Sequence, residues 1–189
     1  QAILLHNLGI DVENMGYWMK SVRSGDPDNY EARSAAFYWD ELFKNLDLNT
    51  GRARFGASPN NLLNYGYAVL RAVIARSLVG SGMLPAIGIH HRNKYNPFCL
   101  ADDIMEPYRP FVDKIVLQIC HEEYEIDDLT PALKRKLLQI PAMDVTIDRK
   151  NSPLMVAAQR TTSSLMRCFT GEIKKIVYPE MKLNERTET

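Results

Sequence analysis

Cysteine is scarce: Cys99, Cys120 and Cys168 are the only three in 189 residues, with no CxxC spacing, and each sits in an apolar helical context. An odd, unpatterned set excludes a disulfide framework and suits a reducing cytoplasm. Long hydrophobic runs are missing too. The longest apolar stretch, around Val69 to Ile74, is interrupted by Arg71 and closed by Arg76, so nothing predicts a membrane span, which needs about 18 or more consecutive apolar residues. There is no internal repeat and no low-complexity segment. A basic leader with a small-residue cleavage site is also absent. The chain opens at Gln1 inside the pattern Ile3, Leu4, Leu5, Leu8, which reads as a piece of a longer protein.

Net charge is absent overall, with 23 basic and 23 acidic residues, yet the balance is uneven. Between Asp47 and Asp102 there is no acid, while Arg52, Arg54, Arg71, Arg76, Arg92 and Lys94 are all basic. Glu122, Glu123, Glu125, Asp127 and Asp128 then form an acidic run. A local basic stretch of this kind can hold phosphate without raising the global pI. The competing reading is that each arginine merely solvates the outer face of a helix.

With 46% apolar residues, the chain has material for a core, and its punctuation is helical. The apolar spacing predicts a helix over residues 1–24 ended by Gly25-Asp26-Pro27, and a second from a cap at Asp28 or Asn29 to Leu48. The second helix would turn Ala35, Ala36, Trp39, Leu42 and Phe43 to the core. Pro59 predicts the start of a central helix from Asn60 to Gly80. Residues 82–96 read as a loop, followed by helices over 97–106 and 108–120. Thr130-Pro131 opens another to Gln139, and Ser152-Pro153 a last one to Val177. The only strand-like alternation, Val145 and Ile147, predicts a small hairpin near 144–150. The expected fold is all-α with many helices: one helical domain over residues 1–183 and a flexible tail over 184–189.

Two features break the pattern. Glu31 shares a helical face with Ala35, Tyr38 and Leu42, so it is expected to point toward the core, where an unpaired carboxylate is costly. The alternatives are a metal ligand or a first-turn glutamate that favours the helix dipole. The second feature is Gly88-Ile-His-His-Arg-Asn-Lys-Tyr-Asn-Pro-Phe-Cys-Leu-Ala-Asp-Asp-Ile-Met-Glu106, which gathers two histidines and three carboxylates. Asp102 and Asp103 lie four and three positions before Glu106, so carboxylates can share a face near the incoming histidines. Imidazole with carboxylates suits Mg²⁺ or Mn²⁺ with open water positions, as phosphoryl transfer requires. Surface ion pairs to Arg109 and a core histidine are the other reading. Asp102-Asp-Ile-Met-Glu106 also resembles the aspartate-rich box of isoprenoid synthases, but the second acidic box of those enzymes is missing.

Three stretches taken together, Asn29-Tyr-Glu-Ala-Arg-Ser-Ala-Ala-Phe-Tyr-Trp39, Asn61-Leu-Leu-Asn-Tyr-Gly-Tyr-Ala-Val-Leu-Arg71 and Gly88 to Asp113, resemble the helical domain of the CRISPR adaptation integrase, CRISPR-associated protein one, especially its type II branch. The resemblance implies a metal-dependent DNA endonuclease and integrase that inserts short foreign DNA into a CRISPR array. It implies double-stranded DNA (prespacer and array), a second copy of itself and CRISPR-associated protein two as partners. Glu31 and His91 match the family's glutamate and histidine ligands. Glu106 matches the type II carboxylate, Asp103 the position used by other branches, and His90 matches no ligand. The family's β-rich N-terminal domain has no counterpart here. Arg52, Arg54, Arg71, Arg76, Arg92 and Lys94 are the candidates for phosphate contacts. The alternative function is a non-catalytic helical DNA-binding or scaffold module.

Overall fold

A computed structural model describes residues 1–183 except 49, 124, 125 and 127. The expected tail at 184–189 and part of the acidic run therefore lie outside the described residues. The backbone is helical with a single two-stranded hairpin among the described residues. Among them, too, no helix is long and apolar enough to cross a membrane. Packing divides the chain into two compact units, Gln1–Arg54 with Lys182 and Leu183, and Phe55–Met181.

The first unit holds α1 (Ala2–Asn7), α2 (Glu13–Ser21) and α3 (Tyr30–Lys44). Where the apolar spacing predicts one helix over 1–24, the chain breaks at Gly9, which takes a left-handed φ of 82°. The Asp11 carboxylate then accepts the Glu13 N–H at 2.9 Å and opens α2. The start of α3 also differs from expectation. Asn29 itself is left-handed and Asp28 binds Arg23, so the cap is Asp26, which accepts the N–H groups of Tyr30 at 2.9 Å and Glu31 at 2.8 Å. The buried face of α3 is Tyr38, Leu42 and Phe43, packed with Leu4, Leu5 and Met15 of this unit. Ala36 is exposed and Trp39 half-buried, so the core face is rotated from the predicted one.

The second unit is organised by α4 (Asn60–Gly80), which packs against α5 (Cys99–Met105), α6 (Arg109–Glu122), α7 (Pro131–Leu137) and α8 (Leu154–Phe169). Leu62, Leu63, Leu70, Ile74 and Leu78 are completely buried along it, as expected of a helix apolar on more than one face. At Gly66 a side chain would meet Val112 Cγ1 at 2.6 Å, so α6 crosses α4 at a point where only hydrogen fits. Thr130 accepts the Leu133 N–H at 3.3 Å, the predicted cap of α7. The hairpin pairs β1 (Asp144–Ile147) with β2 (Lys150–Pro153) in the register Val145↔Ser152. Its two turn residues, Asp148 and Arg149, both have positive φ, as a tight hairpin turn demands. Helix α8 stops at Phe169, short of the predicted Val177, because the backbone N–H of Glu172 folds back onto the Arg167 carbonyl at 2.9 Å.

Candidate active site on the α5 loop

The loop before α5 is built by side-chain oxygens that accept backbone N–H groups. Asn93 accepts from Tyr95 at 3.0 Å and Asn96 from Phe98 at 3.0 Å, while the Pro85 carbonyl accepts from Leu100 at 2.7 Å. The bond from Leu100 satisfies a donor that the N-terminus of α5 leaves open. The loop is thereby fastened to the helix whose acidic residues attract attention in the sequence.

Those three acids divide sharply. Asp102 is buried and accepts Arg71 Nε at 2.7 Å on one oxygen and Asn96 Nδ2 at 2.7 Å on the other. Arg71, a candidate for phosphate contact, thus ties α4 to α5, with its guanidinium 5.8 Å from the centre of the Phe98 ring. Asp103 receives the loop itself. Its Oδ2 accepts the backbone N–H groups of Ile89 at 2.6 Å and His90 at 2.9 Å, and its Oδ1 accepts the His91 N–H at 3.1 Å and lies 2.5 Å from His91 Nδ1. Burial pushes this carboxyl's pKa up, but the bonds from the His90 backbone, the His91 side chain and the His91 and Ile89 backbones outweigh it, so the net shift is downward.

Glu106 begins the 3-10 turn Glu106–Tyr108 that joins α5 to α6. It remains half-exposed, with Arg109 at 2.9 Å. Burial raises its pKa; Arg109 and the neighbouring His91 oppose that rise, and Asp102 and Asp103 reinforce it. Arg109 also lies 5.2 Å from the centre of the Tyr67 ring, and the Tyr67 hydroxyl donates to the fully buried Asp113. One small region thus carries His91, Asp103, Glu106 and Arg109. His90 contributes its backbone N–H, and its ring stands edge-on to that of His91 with centres 5.6 Å apart.

Glu31 belongs to the first unit, on the first turn of α3, and it is exposed. The expectation that it points into the core is therefore corrected. Its face becomes buried only at Tyr38 and Leu42, two and three turns further on. Among the described residues no group of three or more His, Cys, Asp or Glu side chains is assembled to hold a metal ion. The basic candidates are spread over both units. Arg52 has its guanidinium 5.5 Å from the centre of the Trp39 ring, beside a groove of about 580 Å³ lined also by Asp40 and Lys44. Arg54, Arg76, Arg92 and Lys94 are exposed, the last over Tyr95.

Two residues that the sequence does not single out, Asn96 and Gly88, prove to shape the site. A side chain at Gly88 would meet the His91 carbonyl at 2.3 Å, Cys99 Cβ at 2.9 Å and Asp103 Oδ2 at 3.1 Å. A glycine just ahead of the His-His pair is the visible signal. Only a residue without Cβ lets the loop close this tightly around a carboxylate.

The helical arrangement itself recurs in a solved structure of another protein. The solved structure of a casposase bound to integration product shares this fold with a TM-score of 0.70, over 92% of this chain and 56% of that one, at 22% sequence identity. The chain belongs to the family of the CRISPR associated protein Cas1, whose pattern matches residues 26–147. It is 38% identical over 185 residues to the CRISPR-associated endonuclease Cas1 of Neisseria meningitidis serogroup C, covering 96% of this chain and 59% of that protein. A Cas1 endonuclease of Pyrobaculum aerophilum is 31% identical over 140 residues, 74% of this chain and 47% of the relative. The chain thus spans about half to three-fifths of the length of these relatives.

Proposed function

We propose that this chain is the helical catalytic part of a DNA endonuclease and integrase that inserts short DNA fragments into a CRISPR array. In the reaction a DNA 3′-hydroxyl gives up its proton and its oxygen bonds to a phosphorus of the array strand. The bond from that phosphorus to its original 3′-oxygen breaks, and the departing oxygen gains a proton. The observation that carries this reading is the loop closed on Asp103, which presents the His91 ring near Glu106 inside the segment matching the family.

The donor chemistry fits a hard divalent cation. His91 Nδ1 is engaged by Asp103, so Nε2 is the nitrogen left to present, and Glu106 keeps an accessible carboxylate. His91 and Glu106 would hold Mg²⁺ or Mn²⁺, with Glu31 the further carboxylate that the resemblance assigns. Such an ion supplies charge stabilisation at a phosphoryl oxygen and a more acidic attacking hydroxyl. Arg109 keeps Glu106 in place by its ion pair. Arg52, Arg54, Arg76, Arg92 and Lys94 would meet phosphates of double-stranded DNA, prespacer or array, which fixes register without reading sequence. A second copy of the protein and CRISPR-associated protein two complete the assembly in this reading.

The test uses the full-length protein that carries this chain. His91→Ala should reduce strand transfer from a 3′-hydroxyl end by more than about a hundredfold while DNA affinity stays nearly constant, because the imidazole acts on the transition state. Arg52→Ala combined with Arg54→Ala should instead weaken binding and flatten its salt dependence, the log–log slope falling by about 0.9 for each phosphate no longer neutralised. If His91→Ala lost binding but kept strand transfer, or no divalent-dependent nicking or transfer could be measured at all, the non-catalytic DNA-binding module would be the better description.

A further inference from the structure

The acids of α5 look interchangeable as cation donors in the sequence, but Asp103 has little left to give. A carboxylate offers about four acceptor positions, and Asp103 fills four at 2.5 to 3.1 Å with three backbone N–H groups and His91 Nδ1. Its side chain is 8% exposed, against 46% for His91. To reach a cation it would have to give up the bonds that hold the loop Gly88–His91 closed on it.

We propose that Asp103 is a positioning residue that acts through His91: it cinches the loop Gly88–His91 and holds the imidazole as the Nδ1–H tautomer, so that Nε2 faces outward with its lone pair free. This deepens the functional reading above and rests on it for the role of Nε2. The chemistry is that of histidines whose second ring nitrogen donates to a carboxylate, which fixes both tautomer and ring orientation. Gly88 is the second half of the device. Its missing Cβ lets the His91 carbonyl and the Asp103 carboxylate come within 2.3 Å and 3.1 Å of where that atom would stand. The loop can therefore fold over the acid only with glycine at this place. Glu106, one turn on, differs in every respect: it is half-exposed and bound by a single arginine.

The tautomer can be read without any metal. In the metal-free 189-residue chain labelled with ¹⁵N-histidine, long-range proton–nitrogen correlation at a pH of about 8, where imidazole is neutral, should show His91 as Nδ1–H. Asp103→Ala should abolish that preference. Gly88→Ala should do the same with the acid still present, and it covers the case in which the aspartate variant does not fold. In a Mn²⁺ titration followed by electron paramagnetic resonance, both variants should bind about tenfold to a hundredfold more weakly than wild type. His91 found as Nε2–H in the wild type, or an Nδ1–H preference that survives in both variants, would overturn the proposal. If the tautomer is held but no Mn²⁺ binds, the positioning role stands and the metal reading falls. If Mn²⁺ binds normally to both variants, the positioning role falls alone.

Discussion

Asp103 and Glu31 are both carboxylates on apolar-patterned helices, and the sequence offers both as cation donors, yet the two units place them in opposite environments. The Asp103 carboxylate is largely covered, at the centre of four hydrogen bonds. Glu31 stands exposed on the first turn of α3, and the bond made there is from its backbone N–H to Asp26. A buried carboxylate persists only when the surrounding donors replace its water, so Asp103 is tied to the fold. An exposed one costs the fold nothing, so the Glu31 side chain can be changed with little effect on folding. The two acids thus differ in what already holds them, four hydrogen bonds for Asp103 and solvent for Glu31.

That contrast is most sharply tested by a pair of conservative changes. Glu31→Gln should leave the unfolding free energy measured in urea within about 0.5 kcal/mol of wild type. In the full-length protein it should still cut strand transfer by more than about a hundredfold. Asp103→Asn should lower both, since its amide must turn an N–H toward loop N–H donors, at a cost of about 1–3 kcal/mol. If Glu31→Gln destabilised the chain and kept activity, the division between the two acids would be drawn the wrong way round.

The two units also differ in how closely their helices approach, and glycine reports it. Gly66 of α4 has Val112 at 2.6 Å from the position of a Cβ, whereas Gly16 of α2 has nothing within 4 Å. Gly66→Ala should destabilise by about 1–3 kcal/mol through overpacking. Gly16→Ala should stabilise by up to about 1 kcal/mol, since alanine is the better helix former and the space is open. Thermal unfolding of the two single variants decides it, and equal shifts of the same sign would contradict the packing described.

Much of this architecture was legible because its signals are local. Pro59 and Thr130-Pro131 mark real helix starts, and the alternation at Val145 and Ile147 marks a real hairpin. The break at Gly9 was not legible, since one glycine in a continuing apolar pattern announces nothing until the chain turns. Nor was the cap of α3, because Asp26 reaches Tyr30 and Glu31 only after left-handed backbone at Asp26 and Asn29 folds it back. At the site, His91, Asp103 and Glu106 stand out by residue type, but their division of labour is hidden. The donors that saturate Asp103 are mostly backbone N–H groups, which every residue but proline carries and no sequence pattern displays.

The smallest effect expected is the response of this contrast to acid. The bonds to Asp103 hold its carboxyl below the ordinary aspartate range in spite of burial, so the folded chain binds that proton less readily than the unfolded chain does. The stabilisation is then complete above the unfolded-state pKa, about 3.9, and is lost as the pH falls through the lower native value. Asp103→Asn has no proton to gain there. The stability gap between wild type and this variant should therefore be constant from about pH 7 to about pH 5 and shrink below about pH 4. Glu106 works with the opposite sign: its raised pKa makes the folded chain the better proton binder. Its contribution is present below the unfolded-state value and is lost as the pH rises through the native one, so wild type should gain on Glu106→Gln as the solution is acidified. Urea unfolding of the three proteins across this range measures both trends. Parallel curves, or a gap at Asp103 that widens in acid, would show that the four hydrogen bonds do not hold its charge.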